Sequence, residues 1–304
     1  MTDLAVIVLT YNEEIHIRRC IENVRSVAKE IFVVDSFSGD NTVEIAKNLG
    51  AIVLQNTWGN NYARQFNWAL AHCPVSSKWL LRLDADEYLT PELLGEVQAK
   101  LDTLPPDTSG VILRRRHMFL GRWVKNGIYP VQLLRIFQTG KAVCEQRWMD
   151  EHIQLLAGKT VEFQHDFVDH NLNNLSWWSH KHVDYAVREA ADLLDMELGL
   201  TDDGPALSGQ AGRKRRVKSL YTRLPLFVRA LAYFFYRYFF RLGFLEGKEG
   251  FLWNVLQGLW YRLLVDAKIF EIKRACGSDP AKIRAHLRRQ YHLAVDQEET
   301  PRRA

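Results

Sequence analysis

The chain begins with an uninterrupted apolar run, Leu4 to Leu9 (LAVIVL), enriched in Val and Ile. Such a run is the mark of a strand covered on both faces, as in a parallel sheet. Ile17, Ile21, Val24 and Val27 then recur at helical intervals, with Thr10 and Glu13 ahead of them at capping-box spacing, so a helix is expected to follow the strand directly. The unit repeats. Ile31 to Val34 predicts a second strand, Ser38 to Thr42 a turn rich in capping residues, and Val43 to Leu49 a helix stopped by Gly50. Ala51 to Leu54 predicts a third strand, Tyr62 to Cys73 a helix and Trp79 to Leu83 a fourth strand. Thr90-Pro91 then opens a helix with a cap and a proline in its first turn. Strands alternating with helices predict an α/β fold with a doubly wound, mainly parallel sheet flanked by helices.

After about Gly110 the pattern changes to strand-like runs (Val111 to Leu113, Gln132 to Phe137, Thr160 to Phe163) without crossover helices, which predicts a mixed sheet edge. A helical period returns from Ser176 to Leu198. Thr201 to Gly212 (TDDGPALSGQAG) is rich in loop formers, and the remainder is helical and aromatic.

At 304 residues and 47% hydrophobic content, the chain can build one sizeable core with room for an appendage. Its formal charge of +4 is unevenly placed, since Arg213, Lys214, Arg215, Arg216 and Lys218 lie together. Cys20, Cys73, Cys144 and Cys276 show no metal-ligand spacing, which argues for reduced thiols in a cytoplasmic setting. No basic n-region or cleavage site precedes the first strand, so no secretion signal is read.

In an open α/β sheet, ligands sit beyond the carboxyl ends of the strands. Here the residues after three strands are polar and acidic: Thr10-Tyr11-Asn12-Glu13, Asp35-Ser36 and Asp84-Ala85-Asp86-Glu87. Any one of these could be a cap or a turn, but three at one edge predict a site. Two carboxylates at i and i+2 can hold a hard divalent cation that takes its other ligands from water and a diphosphate.

The sequence resembles the family 2 glycosyltransferases, which have the GT-A fold. The matching segments are VIVLTYNEE at 6 to 14, VVDSFSGDNT at 33 to 42, YARQFNWAL at 62 to 70 and LRLDADEYLTPE at 81 to 92, and the resemblance covers about residues 1 to 155. It looks most similar to the lipopolysaccharide-core glucosyltransferases of the WaaE type, which carry a similar aromatic C-terminal region.

The resemblance implies that Thr10, Tyr11, Asn12, Glu13, Asp35 and Ser36 surround a nucleotide, and that Arg64 approaches its diphosphate. Asp84, with Ala85 beside it, would contact ribose or metal, and Asp86 would be the main ligand of Mn²⁺ or Mg²⁺. One departure is that the second strand ends Asp-Ser where many members have two acids. An inverting transfer also needs a general base for the acceptor hydroxyl. The family places an acid about sixty residues after the Asp-x-Asp, where Asp150 and Glu151 stand. Glu151 is preferred because it occupies the second place of the usual acidic pair.

His165, Asp166, Asp169 and His170 crowd together, with His180 and His182 soon after. Without HExxH-like spacing, hydrogen-bonded histidines lining an acceptor site are preferred to a metal cluster. His182, Tyr185 and Glu189 share a helical face that could close over the sugar site, while Arg188 lies off it.

Residues 224 to 245 (LPLFVRALAYFFYRYFFRLGFL) are apolar but interrupted by arginines. On a helix, Arg223, Arg229, Arg237 and Arg241 fall within a sector of about 120°. That predicts an interfacial helix whose arginines meet lipid phosphates while Phe234, Phe235, Phe239 and Phe240 enter the acyl boundary. The aromatics could instead form a dimer interface or a buried helical cap. The basic cluster ahead of this helix points to anionic lipid or a pyrophosphate-linked lipid acceptor. Phe251 to Ile272 reads as a partner helix rather than a span, and no nucleic-acid recognition fold accompanies the basic run.

The expected organisation is a GT-A domain over 1–200 (nucleotide-sugar half 1–110, acceptor half 111–200), a flexible basic linker at 201–218 and an amphipathic helical membrane- and acceptor-binding region at 219–304. The expected activity is sugar transfer from a nucleotide diphosphate sugar, UDP on the resemblance, to a lipid-linked saccharide at the cytoplasmic face of the cell membrane. The membrane surface would be met through residues 213–245. A nucleotidyltransferase is the competing enzyme class, though TYNEE lacks its usual glycine-rich loop, and a non-catalytic membrane scaffold is the other alternative.

Overall fold

The computed structural model describes residues 2–147, 149, 151–198 and 221–293. The chain divides into two compact units, Met1–Gln146 with Glu151–Leu172, and Arg147–Asp150 with Asn173–Ala304. Asp150, the segment 201–218 and its basic cluster lie outside the described residues.

The first unit runs β1 (Leu4–Thr10), α1 (Ile17–Val24), β2 (Glu30–Asp35), α2 (Thr42–Asn48), β3 (Ile52–Gln55), α3 (Tyr62–His72), β4 (Trp79–Asp84), β5 (Glu87–Leu89) and α4 (Pro91–Lys100). Strands β6 (Thr108–Phe119), β7 (Arg122–Val124), β8 (Val131–Gln138), β9 (Ala142–Cys144), β10 (Ile153–Leu155) and β11 (Lys159–Asp169) follow. Nine strands form one sheet in the order β3-β2-β1-β4-β8-β6-β11-β5, with β7 on β6. β3, β2, β1 and β4 are parallel, and β8 then joins β4 and β6 antiparallel. The mixed edge expected beyond Gly110 is therefore present.

Strand periodicity decides which helices cover which face. Leu4, Val6 and Val8 point one way, into a core completed by Ile17, Ile21 and Val24 of α1 and Leu93 and Val97 of α4. Ala5 and Ile7 point the other way, against Ala63, Phe66 and Ala69 of α3. Each fully buried aliphatic side chain contributes about 1.5–3 kcal/mol. Both faces being covered is why the LAVIVL run shows no polar alternation.

The helix starts follow two different rules. α4 begins as its sequence predicts, with Thr90 Oγ1 accepting from the Leu93 amide at 3.3 Å ahead of Pro91. The Thr10/Glu13 capping box does not form: α1 starts only at Ile17, and His16 at its N-cap makes no side-chain cap. Thr10 is still in β1 and donates its hydroxyl to Asp35 Oδ1 at 3.0 Å, so cross-strand bonding wins over capping.

Among the described residues the elements of the second unit are helical: α5 (Leu175–Leu198), α6 (Val228–Phe235), a π-helical turn (Tyr236–Phe240), a 3₁₀ turn (Gly243–Glu246), α7 (Gly247–Trp253), a second π-helical turn (Asn254–Trp260), α8 (Tyr261–Cys276) and α9 (Pro280–Tyr291). Ala186, Ala190 and Leu194 of α5 pack with Val265, Ile269 and Ile272 of α8 and with Ile283 and Leu287 of α9.

The single interfacial helix expected over 224–245 is replaced by this broken path. The chain reverses at Leu242, φ +60°, and Gly243 lies so close to its neighbours that a Cβ there would stand 2.8 Å from Asn254 Nδ2. The predicted arginine stripe is also corrected. Arg229 and Arg237 are 3% and 2% exposed, and Arg229 Nε donates to Asp266 Oδ1 on α8 at 2.7 Å. Asp266 turns that face inward, which reading the segment alone could not foresee. Among the described residues no helix is long and apolar enough to cross a membrane.

Candidate active site

Parallel register brings the acidic strand ends to one edge. Thr10 of β1 lies beside Asp35 of β2, and Leu9 lies beside Asp84 of β4. Asp35 and Asp84 thus leave strands on either side of β1, two strand spacings or about 10 Å apart.

Asp35 is fully buried. Its Oδ1 accepts from the Thr10 and Ser38 hydroxyls, and its Oδ2 from the Ser38 amide at 2.9 Å and from Gln55 Nε2 at 3.3 Å. These bonds fix the loop after β2. Asn12, φ +56°, stitches that loop to the one after β1, donating its amide to Ser38 Oγ at 2.8 Å and accepting from the Gly39 amide at 2.9 Å. Glu13 donates its amide to Thr42 Oγ1 at 2.7 Å and accepts from His16 Nδ1 at 2.6 Å. Ser36 is buried and accepts from Gln65 Nε2 at 3.1 Å. The result presents Tyr11 and Phe37, 62% and 57% exposed, as aromatic surfaces on which a planar base can stack. Phe37, at φ +60°, was not singled out in the sequence; an apolar residue between two serines in a polar turn is the signal that could have found it.

The other end is organised by arginines inside strands. Asp84 Oδ1 accepts from the Tyr62 hydroxyl, which in turn accepts from Arg82 Nε at 3.1 Å. Arg82 Nη2 reaches Glu151 Oε1 at 3.2 Å. A continuous chain therefore links the candidate base to the Asp-x-Asp through two residues of the neighbouring secondary structure. On β8, Arg135 Nη2 stands 2.7 Å from Glu87 Oε1 and 3.8 Å from Asp84 Oδ2, and Glu87 Oε2 accepts from the Asp84 amide at 2.9 Å. Asp86 Oδ2 accepts from Asn171 Nδ2 at 2.9 Å, and its carbonyl accepts from the His170 amide at 3.0 Å and from Arg19 Nη2 at 3.1 Å. Ala85 is buried between them, and Arg64 is exposed on the first turn of α3, where Asn61 Oδ1 caps its amide at 2.9 Å.

Burial alone would raise the Asp84 carboxyl, but Arg135, Arg82 and the Tyr62 hydroxyl outweigh it and hold Asp84 below the usual carboxylate range. Glu87 goes the other way. Burial raises it, Arg135 opposes, and the charges of Asp84, Asp169 and Asp86 add to the rise. Among the described residues no three His, Cys, Asp or Glu side chains converge as a closed metal cage. The oxygen donors of Asp86 and Asp84 do fit an open site, in which the protein supplies one or two carboxylates to a hard cation and a diphosphate supplies the rest.

The histidine cluster separates along β11 into different pairings. His165 Nδ1 meets Glu96 Oε2 at 2.8 Å, Asp166 holds Arg116 at 2.6 Å, and Asp169 Oδ2 meets His117 Nδ1 at 3.1 Å. On α5, His182 Nδ1 bonds to the Trp178 carbonyl at 2.8 Å and its ring stacks on Trp178. Glu189 is 4% exposed, accepts from the Tyr261 hydroxyl at 2.6 Å and pairs with Arg262, within the helical unit. Arg82 and Arg135 were missed from the sequence; a lone arginine in an apolar strand, as in LLRLD and LLRIF, was their signal.

An uncharacterized glycosyltransferase of Rickettsia typhi is 40% identical over 98 residues, 32% of this chain and 32% of that protein, so the match spans about a third of the relative's length. The crystal structure of TarS residues 1–349 from Staphylococcus aureus is similar at 16% identity, covering 95% of this chain and 91% of that one with a TM-score of 0.45. Glucosyl-3-phosphoglycerate synthase of Mycobacterium tuberculosis, solved with Mn²⁺, UDP and glucosyl-3-phosphoglycerate, matches at 20% identity over 38% of this chain and 44% of that one, TM-score 0.31. The family model for glycosyl transferase family 2 matches residues 5–158, from β1 to the hairpin of β9 and β10, and takes in Asp35, Asp84, Asp86, Glu87 and Glu151. On that match over half its length, the chain belongs to glycosyl transferase family 2.

Proposed function

We propose that this glycosyltransferase is inverting and metal-dependent, and that it moves a hexose from a UDP-sugar to a lipid-linked saccharide on the inner face of the cell membrane. The observation that carries the reading is the shared edge of β2, β1 and β4. A stacking surface at Tyr11 and Phe37 stands at one end and the Asp84/Asp86 carboxylates at the other, a span suited to a nucleotide and its diphosphate.

Asp86 and Asp84 would hold Mn²⁺ or Mg²⁺, which when bound neutralises charge on the departing diphosphate. Tyr62 and Arg135 keep Asp84 ionised and aimed, and Asn171 orients Asp86. Arg64, exposed at the start of α3, would approach a phosphate. Glu151, oriented by Arg82, would take the proton from the acceptor hydroxyl, with Asp150 the alternative base. The lipid-linked acceptor and the membrane setting draw support from the exposed aromatics Phe235, Phe239 and Phe240 of the helical unit.

The test is sugar transfer by purified protein with Mn²⁺ and a panel of nucleotide sugars. Asp86→Ala lowers kcat/KM by about a thousandfold or more while leaving the folded protein's Tm within a few degrees. A nucleotide raises the wild-type Tm only when Mn²⁺ is present. Unchanged transfer by Asp86→Ala would sink the metal assignment.

A further inference from the structure

The helical unit contains a second concentration of chemistry that the transfer reaction does not use. Arg237, in the π-helical turn after α6, is 2% exposed, and its Nε and Nη2 find no acceptor among the described residues. No carboxylate among the described residues pairs with it, and the side chain that hydrogen-bonds it is the neutral phenol of Tyr233. Its guanidinium carbon lies 5.4 Å from the ring centre of Tyr233, and that of Arg262 lies 5.4 Å from the same ring. The Tyr221 ring stands 6.2 Å from Tyr233, and the Tyr221 hydroxyl and Arg262 Nε are likewise buried without acceptors among the described residues. Nearby Arg229 is matched by Asp266 and Arg262 by Glu189, which leaves the positive charge of Arg237 over.

A guanidinium in the interior with no counter-charge is unfavourable unless an anion meets it. Its planar donor fork and the surrounding N–H and O–H groups suit the tetrahedral oxygens of a phosphoryl group. On the second π-helical turn Gly258 is itself buried, and a Cβ there would stand in ordinary contact with Arg237 Nη1 at 3.6 Å, so only backbone lies against the guanidinium on that side. The same turn as Arg237 exposes Tyr236, Phe239 and Phe240, the last at 78%. A positive buried donor set beside an apolar exposed surface fits an amphiphile, with a phosphoryl head and a hydrocarbon tail.

We propose that Arg237, with Arg262 and Tyr221 beside it, forms a binding site for the phosphoryl head of a phosphorylated lipid. The site belongs to the helical unit alone and does not depend on the transfer reaction.

The test uses the full chain with EDTA present, so that metal-dependent nucleotide binding does not contribute. Tm is measured with inorganic pyrophosphate, and again with vesicles of phosphatidylcholine alone or mixed with phosphatidylglycerol. A rise of about 5 °C is expected at a ligand concentration a hundredfold above Kd. A rise with pyrophosphate shows recognition of the free phosphoryl group. A rise only with the anionic vesicles identifies a bilayer headgroup as the source. In either case Arg237→Met removes the response while its ligand-free Tm equals or exceeds that of wild type, because an apolar side chain replaces an unpaired charge. Arg237→Lys retains the charge without the fork and binds about tenfold more weakly. The proposal is overturned if neither ligand shifts the wild type, if Arg237→Met responds as wild type does, or if both variants lose several degrees of ligand-free Tm.

Discussion

At the scale of single residues, the strand-end acids were legible because each follows an apolar run that announces its strand, whereas their basic partners were not. Arg82 and Arg135 sit far apart in sequence, and only the antiparallel register of β4 and β8 brings Arg135 to Glu87 and Asp84. Arg135 is 4% exposed and Glu87 is 2% exposed, so removing one partner strands the other in the interior. Arg135→Met is therefore expected to destabilise the fold by about 3–5 kcal/mol in chemical denaturation. The double variant Arg135→Met/Glu87→Met should recover only part of that loss, because Asp84 still loses Arg135 and its amide loses Glu87. If the single variant costs as little as a surface substitution, the pair is not holding the Asp-x-Asp strand end.

At the scale of elements, Glu96 joins α4 to β11. Its carboxylate accepts from the amides of Gln164 at 3.0 Å and His165 at 3.1 Å and from Lys100 Nζ at 2.8 Å. Burial works to raise this carboxyl, but the bonds from Lys100, His165 and the two amides outweigh it and bring it down to about 2. Its pKa being lower in the folded than in the unfolded state, the group stabilises the protein fully above its ordinary value of 4.5 and loses that contribution as pH falls from there towards about 2. Glu96→Gln should lower stability at pH 7 by about 2 kcal/mol. The difference from wild type should shrink as the pH drops from about 5 to about 2. A gap that widens in acid would refute the assignment. The helix itself was readable from Thr90-Pro91, but the clamp was not, because it depends on where β11 lies.

At the scale of the whole molecule, the helical unit exposes Leu231, Phe235, Phe239, Phe240, Phe244 and Leu245, more apolar side chains than scattered surface residues require. If this surface docks on a bilayer, Phe239→Ser/Phe240→Ser should cut co-flotation with anionic vesicles by about tenfold. Transfer to a soluble acceptor analogue should remain unchanged. A matching loss of self-association instead, with vesicle binding intact, would assign the aromatics to a pairing of two copies.

The succession of apolar strand runs, helical periods and polar strand ends is local, and it alone determined that the chain builds an α/β sheet with an acidic edge. Period-2 and period-3.6 patterns are written into neighbouring residues, so they survive without knowledge of the fold. Which arginine meets which acid, why Thr10 bonds across to Asp35 rather than capping a helix, and why Arg229 faces Asp266 instead of lipid were decided only by tertiary structure. Those choices turn on desolvation: a buried charge takes whatever partner the packing brings within reach, and sequence distance carries no record of that.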